Sequence, residues 1–126
     1  MKKDIQVLLV DDHQCVCEEL QRLLQSEKEI EVVGQVCKSE EALSQIEMLS
    51  PDVVLMDIKM PGIDGVELTR QVKQKYHSCN VIMLTMYDEY QTEALNAGAI
   101  GYLLKDIKRD ELVGAIRFAC DDTFAT

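Results

Sequence analysis

Apolar residues in this chain fall into short uninterrupted runs, separated by stretches with helical periodicity. The runs are IQVLLV at 5–10, DVVLMD at 52–57, NVIMLT at 80–85 and IGYLLK at 100–105. Segments this rich in Val, Ile, Leu and Met leave no polar face, so each reads as a strand of a parallel sheet covered on both sides. EVVGQV at 31–36 adds a shorter strand. Between them, residues 14–26 place Val16, Leu20, Leu23 and Leu24 on one helical stripe. SEEALSQIEML begins with Ser39 as the expected N-cap, aligns Ala42, Ile46 and Leu49, and is closed by Pro51. The KMPGIDG turn leads into a helix with Val66, Leu68 and Val72. A weaker helix at 88–97 carries Tyr90, Ala94 and Ala97 and stops at Gly98. Leu112, Ala115, Ile116 and Ala119 mark the last helix, which completes five βα units of an α/β domain with no internal repeat.

Four of the runs end on, or are followed at once by, a polar residue: the Asp11-Asp12 pair, Asp57, Thr85 and Lys105. Open parallel sheets place their ligand crevice at the carboxyl ends of the strands, where these residues would converge. Clustered carboxylates repel one another unless a hard cation takes their oxygens, and magnesium suits one or two carboxylates together with waters and a phosphate. A lysine opposite supplies positive charge to phosphoryl oxygens, and a threonine hydroxyl can donate to one of them. Asp57 can act as an acceptor nucleophile and form an acyl phosphate. The set is suited to holding one phosphoryl group.

Composition narrows the classes. A chain of 126 residues, 47% hydrophobic, has length for one ordinary core. Its formal charge of −10 opposes binding to phosphodiester backbones, which argues against nucleic-acid contact by this segment. No apolar run approaches the roughly 20 residues of a membrane helix, and MKKDIQVLLVDD turns acidic too soon for a signal peptide. The expected compartment is the cytoplasm. Cys15, Cys17, Cys37, Cys79 and Cys120 are odd in number and contain no CxxC pair, so reduced thiols are expected. With only His13 and His77 present, a His-based metal or triad site is not expected, and His13 reads as a surface residue at a helix start.

Taken singly, each candidate has an ordinary explanation. An Asp-Asp pair can cap a helix, Asp57 can serve the following turn, and Thr85 is a good strand residue. Lys105 can snorkel to the surface, and Tyr102 can simply pack. Their joint occurrence at strand ends is what points to a site.

VLLVDD, LMDIKMPGIDGVEL, VIMLT and ALNAGAIGYLLKD together span nearly the whole chain and resemble the receiver domains of two-component response regulators. That resemblance implies a doubly wound five-stranded parallel sheet in the order 2-1-3-4-5 with five helices. It also implies that Asp57 accepts phosphate from a sensor histidine kinase. Asp12, Asp57 and the backbone carbonyl of Lys59 would bind Mg2+, while Asp11 would hold one of the ion's waters. Thr85 and Lys105 would grip the phosphoryl oxygens, and Tyr102 would be the aromatic whose inward or outward position reports the state. Lys59 and Tyr87 occupy positions that tune dephosphorylation in this family. DDH and GYLLKD are similar to the NarL/FixJ branch, whose receivers carry a LuxR-type helix-turn-helix output domain for transcription control. Cys17 and Glu19 depart from the Arg and Gly frequent in that branch, and Met86 is bulkier than the residue usual after the switch threonine.

On this reading residues 1–120 form the receiver and 121–126 begin a linker or end the chain. Phosphorylation would favour a homodimer, and the domain would assist its own phosphorylation and dephosphorylation without being a turnover enzyme. A stand-alone receiver acting as a phosphorelay or protein-contact switch is the milder alternative. An Asp-nucleophile hydrolase lacks support because Ile58 and Lys59 follow Asp57, which leaves no Asp-x-Asp pair. A nucleotide or flavin module lacks support because there is neither GxGxxG nor a Walker A sequence, and the first turn, DDHQ, has no glycine.

Overall fold

The apolar runs do form the strands expected of them. The computed structural model describes residues 4–120, so the expectation for 121–126 lies outside the described residues. In chain order it contains β1 (Ile5–Val10), α1 (Gln14–Leu24), β2 (Ile30–Val36), a 3₁₀ turn (Ser39–Glu41), α2 (Ala42–Leu49) and β3 (Val53–Met56). Then follow α3 (Gly65–Lys75), β4 (Asn80–Thr85), α4 (Gln91–Ala97), β5 (Gly101–Leu104) and α5 (Arg109–Ala119). The five strands pair in parallel in the order β2-β1-β3-β4-β5.

Alternation along the central strands explains why they are apolar throughout. Leu8, Val10, Val54, Met56, Val81 and Met83 face one side, against Ala42 and Ile46 of α2, Leu68 and Val72 of α3, and Ala94 of α4. Val7, Leu9, Val53, Leu55, Ile82 and Leu84 face the other, against Cys17, Leu20 and Leu24 of α1 and Leu112, Val113 and Ile116 of α5. With both faces buried, the middle positions of these strands are all apolar, and the polar residues Gln6, Asn80 and Thr85 fall near the strand ends. The chain leaves β1 outward to β2 and returns to β3 on its other side, so a crevice opens between the carboxyl ends of β1 and β3.

Several boundaries differ from the expected ones. Asp57 and Lys105 lie just past the last paired residues of β3 and β5, and Ile100 precedes β5. The first helix ends at Leu24 and the fourth begins only at Gln91. Ser39 is not a helix cap. Its buried hydroxyl donates to the Pro61 carbonyl (3.0 Å) and accepts from the Ile63 N–H (2.9 Å), which ties the second helix entry to the loop after β3. With that oxygen engaged across the fold, residues 39–41 tighten into a 3₁₀ turn and α2 starts at Ala42. Gly98 does hold the left-handed conformation after α4, with φ of 115°.

Candidate functional site

Backbone pairing positions the carboxylates. The Asp11 N–H donates to the Val36 carbonyl (3.0 Å) and the Asp57 N–H to the Val10 carbonyl (2.9 Å), which extends the sheet ladder by one bond at each strand end. Asp11 and Asp57 are each 3% exposed. The loop beyond Asp57 folds back tightly, with the Gly65 N–H on the Ile58 carbonyl at 2.8 Å. A Cβ at Gly65 would lie 2.0 Å from the Asp57 carbonyl oxygen, so only glycine lets α3 begin so close beneath this residue. Asp64 caps α3 by accepting from the Glu67 N–H at 2.9 Å.

Lys105 enters from the far side. Its N–H donates to the Thr85 carbonyl at 2.9 Å, which carries the β4–β5 pairing past the strand end and turns the side chain across the sheet. Its Nζ reaches Asp11 Oδ2 at 2.8 Å and Asp57 Oδ2 at 3.2 Å, with the side chain only 11% exposed. The second Asp57 oxygen accepts from the Ile58 N–H at 2.8 Å. Burial and the neighbouring Asp11 charge raise the Asp57 carboxyl above its ordinary value, and Lys105 offsets this only in part. Burial alone would lower the Lys105 ammonium, but its hydrogen bond and charge interaction with Asp11, followed by those with Asp57, hold it above its ordinary value. Lys105 is thus shared between two carboxylates and neutralises neither completely.

Asp12 completes the acidic group. Its Oδ1 is buried and without a hydrogen-bond partner. One ligand atom each from Asp11, Asp12, His13 and Asp57 can be chosen so that all lie within 4.8 Å of one another. A net negative cluster with one buried Asp12 oxygen left unpaired fits a divalent cation that is content with oxygen donors and water.

Sequence reasoning identified the carboxylates and the lysine but missed His13. The expectation of an ordinary surface histidine is only half met: the side chain is 56% exposed, yet its Nδ1 lies 3.0 Å from Asp11 Oδ1 and 3.2 Å from Asp12 Oδ1. The available signal was its position as the N-cap of α1, immediately after the acidic pair. Cys17 also belongs to the surroundings of the site. It is fully buried, and its thiol lies 3.7 Å from the Asp11 carbonyl. Burial, followed by the Asp11 charge, pushes that thiol up to about 11, which keeps it in the unreactive neutral form.

Thr85 is fully buried at the end of β4, and its hydroxyl accepts from the Tyr87 N–H at 3.4 Å. Tyr102, on β5, does not reach the carboxylates: its hydroxyl donates to the Tyr87 carbonyl. The Lys59 side chain also turns away from the acidic group, its Nζ lying 4.8 Å from the centre of the Tyr90 ring and 5.9 Å from that of Tyr87. Met86 is 71% exposed. No helix among the described residues is long and apolar enough to cross a membrane.

Residues 7–117 match the family model described as the response regulator receiver domain. The transcriptional regulatory protein DegU of Brevibacillus brevis is 43% identical over 115 residues, which cover 90% of this chain and 49% of DegU. The response regulator UvrY of Escherichia coli is 44% identical over 115 residues, covering 90% of this chain and 53% of UvrY. This chain therefore spans about half the length of the regulators it matches. Among solved structures, the signal receiver domain of the response regulator NarL from Mycobacterium tuberculosis superposes with a TM-score of 0.86 at 34% identity, covering 92% of this chain and 95% of that one. The fold, the acidic crevice and these likenesses agree: the chain belongs to the receiver domain family of two-component response regulators.

Proposed function

We propose that Asp57 is the phosphoacceptor of this receiver and that a sensor histidine kinase is its donor. The observation that carries this is the buried Asp57 carboxylate, held by Lys105 on one oxygen and by the Ile58 N–H on the other, at the mouth of an acidic crevice. A carboxylate oxygen attacks phosphorus in line, the P–N bond to the donor imidazole breaks, and its electron pair stays with that nitrogen, which takes up a proton. Lys105 moves from the carboxylates to the incoming phosphoryl oxygens, and the Thr85 hydroxyl donates to another of them. Asp12, Asp57 and the Lys59 carbonyl would hold magnesium, with Asp11 on one of its waters. So held, the ion would supply positive charge to the oxygens of the transferred group. The domain in this way assists its own phosphorylation and dephosphorylation without turning over a substrate as an enzyme does.

The output follows from the same contacts. Drawing Thr85 toward phosphate disturbs the Tyr87 segment it now bonds, and Tyr102 is held by that segment. The Thr85 contact and the Tyr102 contact therefore exchange together, shifting a population between two states and favouring a homodimer. Relatives about twice as long support a reading in which residues 1–120 are the receiver and 121–126 open a linker to a DNA-binding domain that controls transcription in the cytoplasm.

The test is intact-mass measurement after treatment with a small acyl-phosphate donor and magnesium. The parent gains one phosphate and Asp57→Asn gains none. A gain that persists in the variant would place the acceptor elsewhere.

A further inference from the structure

We propose that His13 is an additional ligand of the cation site, which makes this receiver selective for a first-row transition dication such as nickel over magnesium. The inference rests on the reading of Asp12 and Asp57 as cation ligands. It departs from that reading by adding a nitrogen donor to a site otherwise built from oxygens.

Three separations carry it. His13 Nδ1 lies 3.0 Å from Asp11 Oδ1, 3.2 Å from Asp12 Oδ1 and 3.9 Å from Asp57 Oδ2. Around an octahedral ion with bonds of about 2.1 Å, neighbouring donors lie roughly 3.0 Å apart and opposite donors roughly 4.2 Å apart. The three separations run from the neighbouring value to just short of the opposite one, so the imidazole nitrogen lies within reach of an ion that Asp12 and Asp57 would hold.

A plain hydrogen-bond account covers only part of this. The contact of Nδ1 with Asp11 has hydrogen-bond geometry. The approach to Asp12 does not, because Asp12 Oδ1 is buried and has no hydrogen-bond partner despite an imidazole nitrogen 3.2 Å away. Asp12 Oδ1 therefore keeps a lone pair that a cation could take, and a cation that displaced the proton Nδ1 shares with Asp11 would find the imidazole lone pair beside it.

The backbone makes the arrangement repeatable. His13 is the N-cap of α1, with φ −99° and ψ 105°, and its carbonyl accepts from the N–H groups of Val16 and Cys17. Its own N–H donates to Asp11 Oδ1 at 2.9 Å. The Cα is therefore fixed on both sides, and the ring is aimed at the carboxylates instead of capping the helix, since it makes no side-chain cap bond. With the ring 56% exposed, small adjustments of its torsions meet little resistance from packing. Imidazole favours nickel, zinc, copper and iron, whereas magnesium retains water and oxygen donors. Adding Nδ1 should strengthen the first class selectively.

The experiment compares the parent with His13→Ala and His13→Asn by titration calorimetry with nickel chloride and, separately, magnesium chloride. It is joined to electron spin-echo measurements on the manganese-loaded protein prepared with 15N-labelled histidine. Expected are a nickel affinity lower by about 10-fold or more in both variants, a magnesium affinity nearly unchanged, and a histidine-nitrogen coupling to manganese in the parent that both variants lack. Equal loss for the two ions would show that His13 only shapes the loop, and absence of the coupling in the parent would remove it from the coordination sphere. Either result overturns the proposal while leaving the magnesium site intact. Magnesium binding that is indifferent to Asp57→Asn would instead defeat the cation-site reading, and the role of His13 with it.

Discussion

The two ends of the Thr85–Lys105 pairing are built from different forces. On the β1–β3 side, Lys105 joins Asp11 and Asp57 across 2.8 and 3.2 Å with all three side chains withdrawn from water. On the β4–β5 side, Tyr87, Tyr90, Tyr102 and Lys59 meet through an edge-on ring pair, a ring-face contact with an ammonium and one hydroxyl-to-carbonyl bond. Charges buried at low dielectric hold a fixed geometry and respond strongly to any added charge. Contacts at the edge of water are weak and exchange easily. A change of charge at Asp57 thus acts on the rigid end, while the soft end supplies alternative positions at small cost. The weakness of the aromatic end is what allows the domain to respond.

The largest test of this contrast is Lys105→Ala. It leaves Asp11 and Asp57 buried without their shared cation, which should cost about 3 kcal/mol of stability in urea unfolding at neutral pH. Acyl-phosphate transfer to Asp57 should slow by about 100-fold, the scale of removing one charge-stabilising donor. NMR signals of Tyr87 and Tyr102 should stay near their parent positions in the same variant. If they moved as far as those of Asp11, the two ends would be one rigid unit and the contrast would fail.

Asp57→Asn sharpens the rigid end with the opposite sign. Because burial and Asp11 raise the Asp57 carboxyl in the folded protein, the unfolded chain loses this proton first as pH rises. From the ordinary carboxylate value upward, ionisation of Asp57 therefore costs folding free energy, and the cost is full once pH passes the raised folded value. The metal-free Asn variant should melt higher than the parent at neutral pH, and calorimetry should show this advantage disappearing below about pH 4, where both states of the parent are protonated. A variant that melted lower at neutral pH would show that pairing with Lys105 outweighs desolvation.

Tyr102→Phe is the smallest change. Losing one half-exposed hydroxyl bond to the Tyr87 carbonyl should cost about 0.5 kcal/mol. Phosphate uptake at Asp57 should proceed as in the parent, while the response of the Tyr87 amide to phosphorylation should be altered. An unchanged response would take Tyr102 out of the coupling.

Much of this molecule is determined by local sequence. Runs this apolar read as strands of a covered parallel sheet, so Asp11, Asp57 and Lys105, which follow three of them, were legible as neighbours in one crevice, and Thr85 as the buried residue that closes β4. Gly98 was legible too, because a helix end followed by glycine is a property of adjacent residues. Other features were decided only when distant segments met. Ser39 looks like a cap in its own neighbourhood, but its hydroxyl is claimed by Pro61 and Ile63, more than twenty residues on. Tyr102 was legible as a candidate reporter, but the partner of its hydroxyl, the Tyr87 carbonyl, was decided by the neighbouring segment. His13 reads as a solvent-facing helix start until β3 brings Asp57 within 3.9 Å of its ring. Periodicity and turn chemistry are short-range and can be read along the chain, whereas the partner of a polar atom depends on which strand ends the fold places side by side.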